Sequence, residues 1–123
     1  MDGLPTTSPG PQHLMALQRA NRVRLARAEL KRRIADGETT AAEVILTSPW
    51  EAASMAIGDV LMSQRRWGST RCRKFLAMFH ISETKTVGSL TQRQRVALAA
   101  QLNAHARIER SAGRAEARQL VGV

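Results

Sequence analysis

Apolar positions along this chain recur at helical spacing, and nowhere does a five-residue run alternate apolar with polar in β-branched or aromatic residues. The first periodic segment, Gln12–Asp36, carries Val23, Leu30 and Ile34 on one narrow stripe. Arg19, Arg22, Arg24, Arg27, Lys31, Arg32 and Arg33 take most of the remaining circumference. A stripe that narrow packs on one side only, so this helix leans against a main body or projects from it. Gly37 stands where a C-terminal cap favours glycine.

Three capping signals follow. Thr40-Ala-Ala-Glu43 opens a short helix with Val44, Ile45 and Leu46, and Ser48-Pro49-Trp50-Glu51 opens another with Pro at its first turn. Thr91-Gln-Arg-Gln94 opens the last, predicted over Gln92–Arg110 and broken at Gly113. Between them, helices over Ile57–Ser63 and Ser69–Phe79 are joined by a tight QRRWG link. The fold class is therefore all-α. The predicted organisation is a flexible Pro/Gly-rich arm over 1–11, a long basic helix over 12–37, a multi-helix domain over 38–112 and a tail over 113–123.

Charge changes the picture from fold to partner. The 123 residues carry a formal +9, with sixteen Arg against three Lys. An excess of one sign bears on partners and solubility. Arginine suits phosphate because its planar fork donates two parallel hydrogen bonds. No segment joins a bulky apolar face to a basic one as an interfacial helix would, so nucleic acid is preferred over an anionic membrane. Cys72 is the single cysteine, which excludes an internal disulfide or a cysteine-rich zinc site and fits a reducing cytoplasm. No basic-then-apolar leader and no apolar run of about 18–20 residues is present, so neither export nor a membrane span is expected.

The residue inventory argues against catalysis. The ten acidic residues are scattered, and Glu43, Glu51 and Asp36 sit where caps or helix ends use them. His13, His80 and His105 lie far apart, and no metal- or nucleophile-type motif occurs. His80 suits the C-terminal end of the helix closing near Phe79. Cys72, although beside basic residues, reads first as a small inward-facing side chain. No cofactor and no metal is expected.

The densest chemistry lies in RRWGSTRCRKFL, Arg65–Leu76, which holds five cationic side chains, one Trp and one Gly. Gly68 permits a positive φ and Ser69 can cap the helix that follows. The first N–H groups of that helix point outward with the positive end of its dipole, and a phosphate can dock on them. Arg65 and Arg66 before the turn, with Arg71, Arg73 and Lys74 after it, surround that point with charge. Thr70 lies in the same first turn. Trp67 has two roles open to it: a lone Trp at such a corner more often packs over the junction, and alternatively it wedges between bases.

At these residues the chain resembles the actinobacterial integration host factors, small basic nucleoid-associated proteins, from about Arg19 to Leu102. The resemblance rests on RANRVRLARAELKRRIADGE, TAAEVI, IGDVLMS, the glycine before STRCRKFL, and HISETKTVGSLTQRQRVAL, in that order and spacing. It implies a long helix beside a helix–two-turn–helix unit, as also found in a small-subunit ribosomal protein. It further implies largely sequence-independent binding of double-stranded DNA in the nucleoid, with bending or compaction and assistance to a recombinase or integrase complex. The family's contact surface carries over to Gly68, Ser69, Thr70, Arg71 and Arg73, with Arg93 and Arg95 matching basic positions of the last helix. Two departures stand out. A Pro-Gly-x-Gly type turn is replaced by Arg65, Arg66, Trp67 and Gly68, and an arginine-rich loop reads TKTVGSL with only Lys85 basic. Binding then leans on the Arg65–Lys74 cluster and on the long helix, where Arg22 and Arg33 are candidate contacts. A monomer in solution is expected.

Three other readings compete. An RNA-binding unit would follow the ribosomal relative, but here the unit comes late and the tail is only mildly basic. A DNA glycosylase of the formamidopyrimidine type would need an N-terminal Pro nucleophile and usually four zinc-binding cysteines, against Met1-Asp2-Gly3 and one cysteine here. A helical protein meeting an acidic protein partner would use the charge without DNA.

Overall fold

The structure, a computed structural model, describes residues 11–121 of the chain, with side chains as far as Arg110; the predicted arm lies almost wholly outside them. The described residues form five α-helices: α1 (Pro11–Ala35), α2 (Ala41–Thr47), α3 (Ile57–Met62), α4 (Ser69–Ala77) and α5 (Gln92–Val121). A 3-10 turn, Val87–Ser89, precedes α5. No strand occurs among the described residues, so the all-α expectation holds.

Helix α1 buries only Leu30 and Ile34, with Val23 half-buried, as its narrow stripe requires. Its end is closed by Gly37 at φ 81°, with Glu38 N–H donating to the Arg33 carbonyl at 2.9 Å. Only glycine enters that left-handed region without cost to a Cβ. Farther up, Arg27 fastens α1 to the turn after α2, donating to the Glu51 carbonyl at 3.3 Å and to the Ser54 hydroxyl.

Helix α2 starts on Thr40, whose hydroxyl accepts from Glu43 N–H at 3.1 Å, and it buries Ala41, Ala42, Val44 and Ile45. It packs on α5, which buries Leu98, Ala99 and Leu102. The cap of α5 is reciprocal: Gln94 N–H donates to Thr91 Oγ1 at 3.1 Å, and Thr91 N–H donates to Gln94 Oε1 at 2.9 Å. Helices α3 and α4 pack together through Ile57, Val60 and Leu61 against Cys72, Phe75 and Leu76.

Two predicted elements come out differently. Ser48–Glu51 opens only a hydrogen-bonded turn over 50–54, because Ser48 itself caps α2 in the left-handed conformation at φ 45°. Gly113 does not break α5, which runs to Val121. One Gly costs about 1 kcal/mol in a helix, and the Ala, Arg, Glu and Gln around it are strong helix formers.

The segment after α4 completes the core. Ile57 N–H donates to the Lys85 carbonyl at 2.7 Å, Gly58 to Glu83 at 2.9 Å, Val87 to Met55 at 3.0 Å and Gly88 to Ala53 at 2.8 Å. These four bonds zip two extended loops antiparallel around the Ala56–Thr86 bridge. Gly88 is required there, since a Cβ would lie 2.8 Å from the Ala53 carbonyl oxygen.

Candidate nucleic-acid interface

The corner between α3 and α4 spans Ser63–Gly68. Gln64 side-chain Nε2 holds the Leu61 carbonyl at 3.0 Å, and Trp67 N–H donates to Gln64 O at 3.3 Å, so the chain reverses within a few residues. The positive φ that this reversal needs falls on Arg66, at 69°, and not on Gly68 as the sequence suggested. Gly68 is instead the N-cap of α4 in extended conformation, φ −93° and ψ 179°. Ser69 is the first helical residue and does not cap; no side chain caps this end. A Cβ on Gly68 would meet nothing within 4 Å. The first-turn N–H groups of α4 are left to solvent or to a ligand, and the open space over Gly68 gives an anion close approach to the backbone.

Charge gathers around this end. Arg65, Arg66, Thr70 and Arg73 are exposed, and Ser69 is half-buried; Lys74, which the sequence grouped with them, is exposed in the last turn of α4, away from this end. Arg71 is held in place. Its guanidinium lies over the Trp67 ring, 4.1 Å from the centroid, and donates to Glu109 of α5 at 2.5 Å. Even so paired, its side chain keeps 34% of its surface exposed. Arg73 lies 3.6 Å from Glu83 and keeps 64% of its side chain exposed.

Trp67 itself is buried, only 8% exposed. Its ring stands edge-on to Phe75 at 5.3 Å and to His105 at 6.3 Å, bridging the corner to α4 and α5. The structure thus assigns Trp67 to the junction, where it carries Arg71, and corrects its reading as a wedge between bases: the ring is packed among Phe75, His105 and the Arg71 guanidinium, with only a rim at the surface. Cys72 is fully buried, and burial pushes its thiol above the ordinary range, with the Glu83 carboxylate adding to that rise. Burial outweighs the neighbouring Arg71, so the thiol is held in its protonated form inside the core.

The other sequence candidates do not all join this site. Arg95 is spent on structure, donating to the Ile45 carbonyl at 2.8 Å and to the Gly88 carbonyl at 3.3 Å. Those bonds fix the α5 start against α2 and the loop. Arg93 is exposed on the first turn of α5, and Lys85 is half-buried in the zipped loop. On α1, Arg22 is exposed and Arg33 stands 3.7 Å from Glu38. Neighbouring Arg32 pairs with Glu29 at 2.6 Å and Asp36 at 2.7 Å, and its hydrogen bonds to Glu29 and Glu38 hold its guanidinium charged to still higher pH. The residue missed by sequence reasoning is Glu109, 38 positions from the arginine it holds; only the packing of α5 across α4 could reveal it.

Among the described residues no group of three metal-ligating side chains occurs, and no helix is long and apolar enough to cross a membrane. No family profile matches the chain, and no curated protein does. A solved structure does: sIHF, an integration host factor, bound to an 8-base-pair palindromic DNA, superposes with a TM-score of 0.64 at 25% identity. The match takes in 69% of this chain and 98% of that one, so nearly the whole of that protein has a counterpart here. The fold of this chain is that of an all-helical, integration-host-factor-like protein.

Proposed function

We propose that this protein is a DNA-architectural protein which grips the phosphate backbone of duplex DNA with little regard to sequence. The observation that carries the reading is the uncapped start of α4, open over Gly68, with Arg65 and Arg66 in the corner before it and Arg71 and Arg73 in the turns that follow. The DNA-bound state of its structural relative is consistent with it. Backbone N–H groups at Ser69 and Thr70 take a phosphate, and the arginines neutralise its neighbours and release counterions. Phosphate contacts position the protein without reading bases. Arg93 and Lys85 add charge beyond α4. The protein acts as a monomer in the nucleoid, it bends or compacts the DNA it holds, and it assists a recombinase complex by shaping its DNA.

The test is a titration of random-sequence duplex DNA against matched duplex RNA over a range of salt. The reading expects preference for DNA and a log–log salt slope of about −3 to −6, at roughly 0.9 per phosphate. Arg71→Glu with Arg73→Glu should abolish binding with helix content unchanged. Unaltered affinity in that variant removes α4 as the binding site, and preference for RNA removes the architectural reading.

A further inference from the structure

The basic helix α1 carries seven cations between Arg19 and Arg33, and packing divides them into unequal sets. At about 100° per residue, Arg22 and Arg33 lie on one flank and Arg24 and Lys31 on the opposite one. Arg33 has Glu38 beside it, and Arg32 is enclosed by Glu29, Asp36 and Glu38. Arg22, Arg24 and Lys31 are exposed, and among the described residues none of them is in an ion pair, although Arg24 donates to Asn21 Oδ1 at 2.7 Å; what separates Arg22 from the other two is its flank.

The flank that bears Arg24 and Lys31 runs toward the α3–α4 corner. A groove of about 800 Å³ lies between α1 and the turn at Ser54, with Arg24, Arg27 and Lys31 in its lining. A second groove, about 520 Å³, shares Ala28 and Lys31 with the first and reaches α3 at Asp59 and Ser63. A third, about 470 Å³, shares Ala35 with the second and reaches Gln64 and Arg65. Successive grooves therefore share wall residues along this flank of α1, and Arg65 is three residues from the open cap at Gly68. From Arg24 to Ala35 the helix rises about 16 Å, roughly the length of five base pairs.

From this continuity we infer that the DNA path does not end at α4 but crosses the corner and continues along the Arg24–Lys31 flank of α1. This deepens the proposed function and rests on it. The occupant is the same duplex, because the grooves follow one another along one flank of α1 toward the corner and the exposed cations Arg24, Lys31 and Arg65 on that line match a phosphate strand. Asp59 is the carboxylate on this path that no described cation pairs with; Asp36 and Glu109, which also line it, are held by Arg32 and Arg71. The two α1 arginines first singled out, Arg22 and Arg33, face away from the path.

The experiment measures anisotropy of a labelled 24-base-pair random duplex against the full chain at several NaCl concentrations, with circular dichroism as the fold control. Arg24→Gln with Lys31→Gln should weaken binding about fivefold or more and make the salt slope shallower by about 1.8, two phosphates at 0.9 each. Arg22→Gln with Arg33→Gln should change neither, and Asp59→Asn should tighten binding. All four cations are exposed, so the variants keep their helix content. An unchanged slope in the Arg24/Lys31 variant, or an equal loss in the Arg22/Arg33 variant, overturns the path while leaving the α4 site standing. Failure of the unaltered chain to bind the duplex at low salt overturns both.

Discussion

Replacing Trp67 by Ala tests the assignment of this ring to the helix junction. The ring is 8% exposed, stands edge-on to Phe75 and His105, and supports the Arg71 guanidinium at 4.1 Å. Removing a buried Trp or Phe costs about 3–5 kcal/mol, and the edge-to-face pairs and the cation stacked on the ring are part of what is lost. Because one rim reaches the surface, the lower end applies, about 3 kcal/mol. For a domain near 100 residues that lowers Tm by about 10–20 °C. The assay is a circular-dichroism melt of the full chain beside Trp67→Phe, which keeps an aromatic platform and should recover part of the loss. Trp50 is 60% exposed, so Trp50→Phe leaves Trp67 as the sole emitter, and its fluorescence should be blue-shifted and poorly quenched by iodide. A Trp67→Ala protein melting within about 3 °C of the parent, with DNA bending lost, would refute the junction role and restore the wedge.

Three further outcomes follow from the same geometry. Gly88→Ala should destabilise by about 1–3 kcal/mol, because its Cβ would press on the Ala53 carbonyl, whereas Gly68→Ala should leave Tm within a few degrees of the parent; paired thermal melts compare them. Arg95→Ala should lower Tm through its lost carbonyl contacts, about 1–3 kcal/mol, and leave the DNA salt slope unchanged, a result read from a melt and a titration together. The hydrogen bond from Arg32 holds the Glu29 carboxyl below its ordinary 4.5, so its contribution is present above that pH and fades as pH falls through the lower folded value. Since the pair is exposed, Glu29→Gln should leave Tm at pH 7 nearly unchanged and flatten only the acid limb of the stability–pH curve.

Local chemistry determined much of this protein from the chain alone. Helical spacing of apolar residues, Thr40 and Thr91 as caps and Gly37 as a stop act within a few residues, so helix content and the α1, α2 and α5 boundaries near them were legible. The cluster around Gly68 was legible too, because its charges are contiguous in sequence. What the sequence left open was set by contacts between distant segments. Whether Trp67 faced solvent or core depended on α5 bringing His105 across it, and Arg71 acquired Glu109 the same way. Arg95 matched a basic position of the last helix and was a candidate DNA contact, but it lay within reach of two carbonyls on other elements, and those bonds claimed it. The positive φ moved from Gly68 to Arg66 because the corner had to close between two packed helices. Along α1, composition alone made seven cations equivalent; only the packing of Leu30 and Ile34 decided which flank meets the corner and which is turned away.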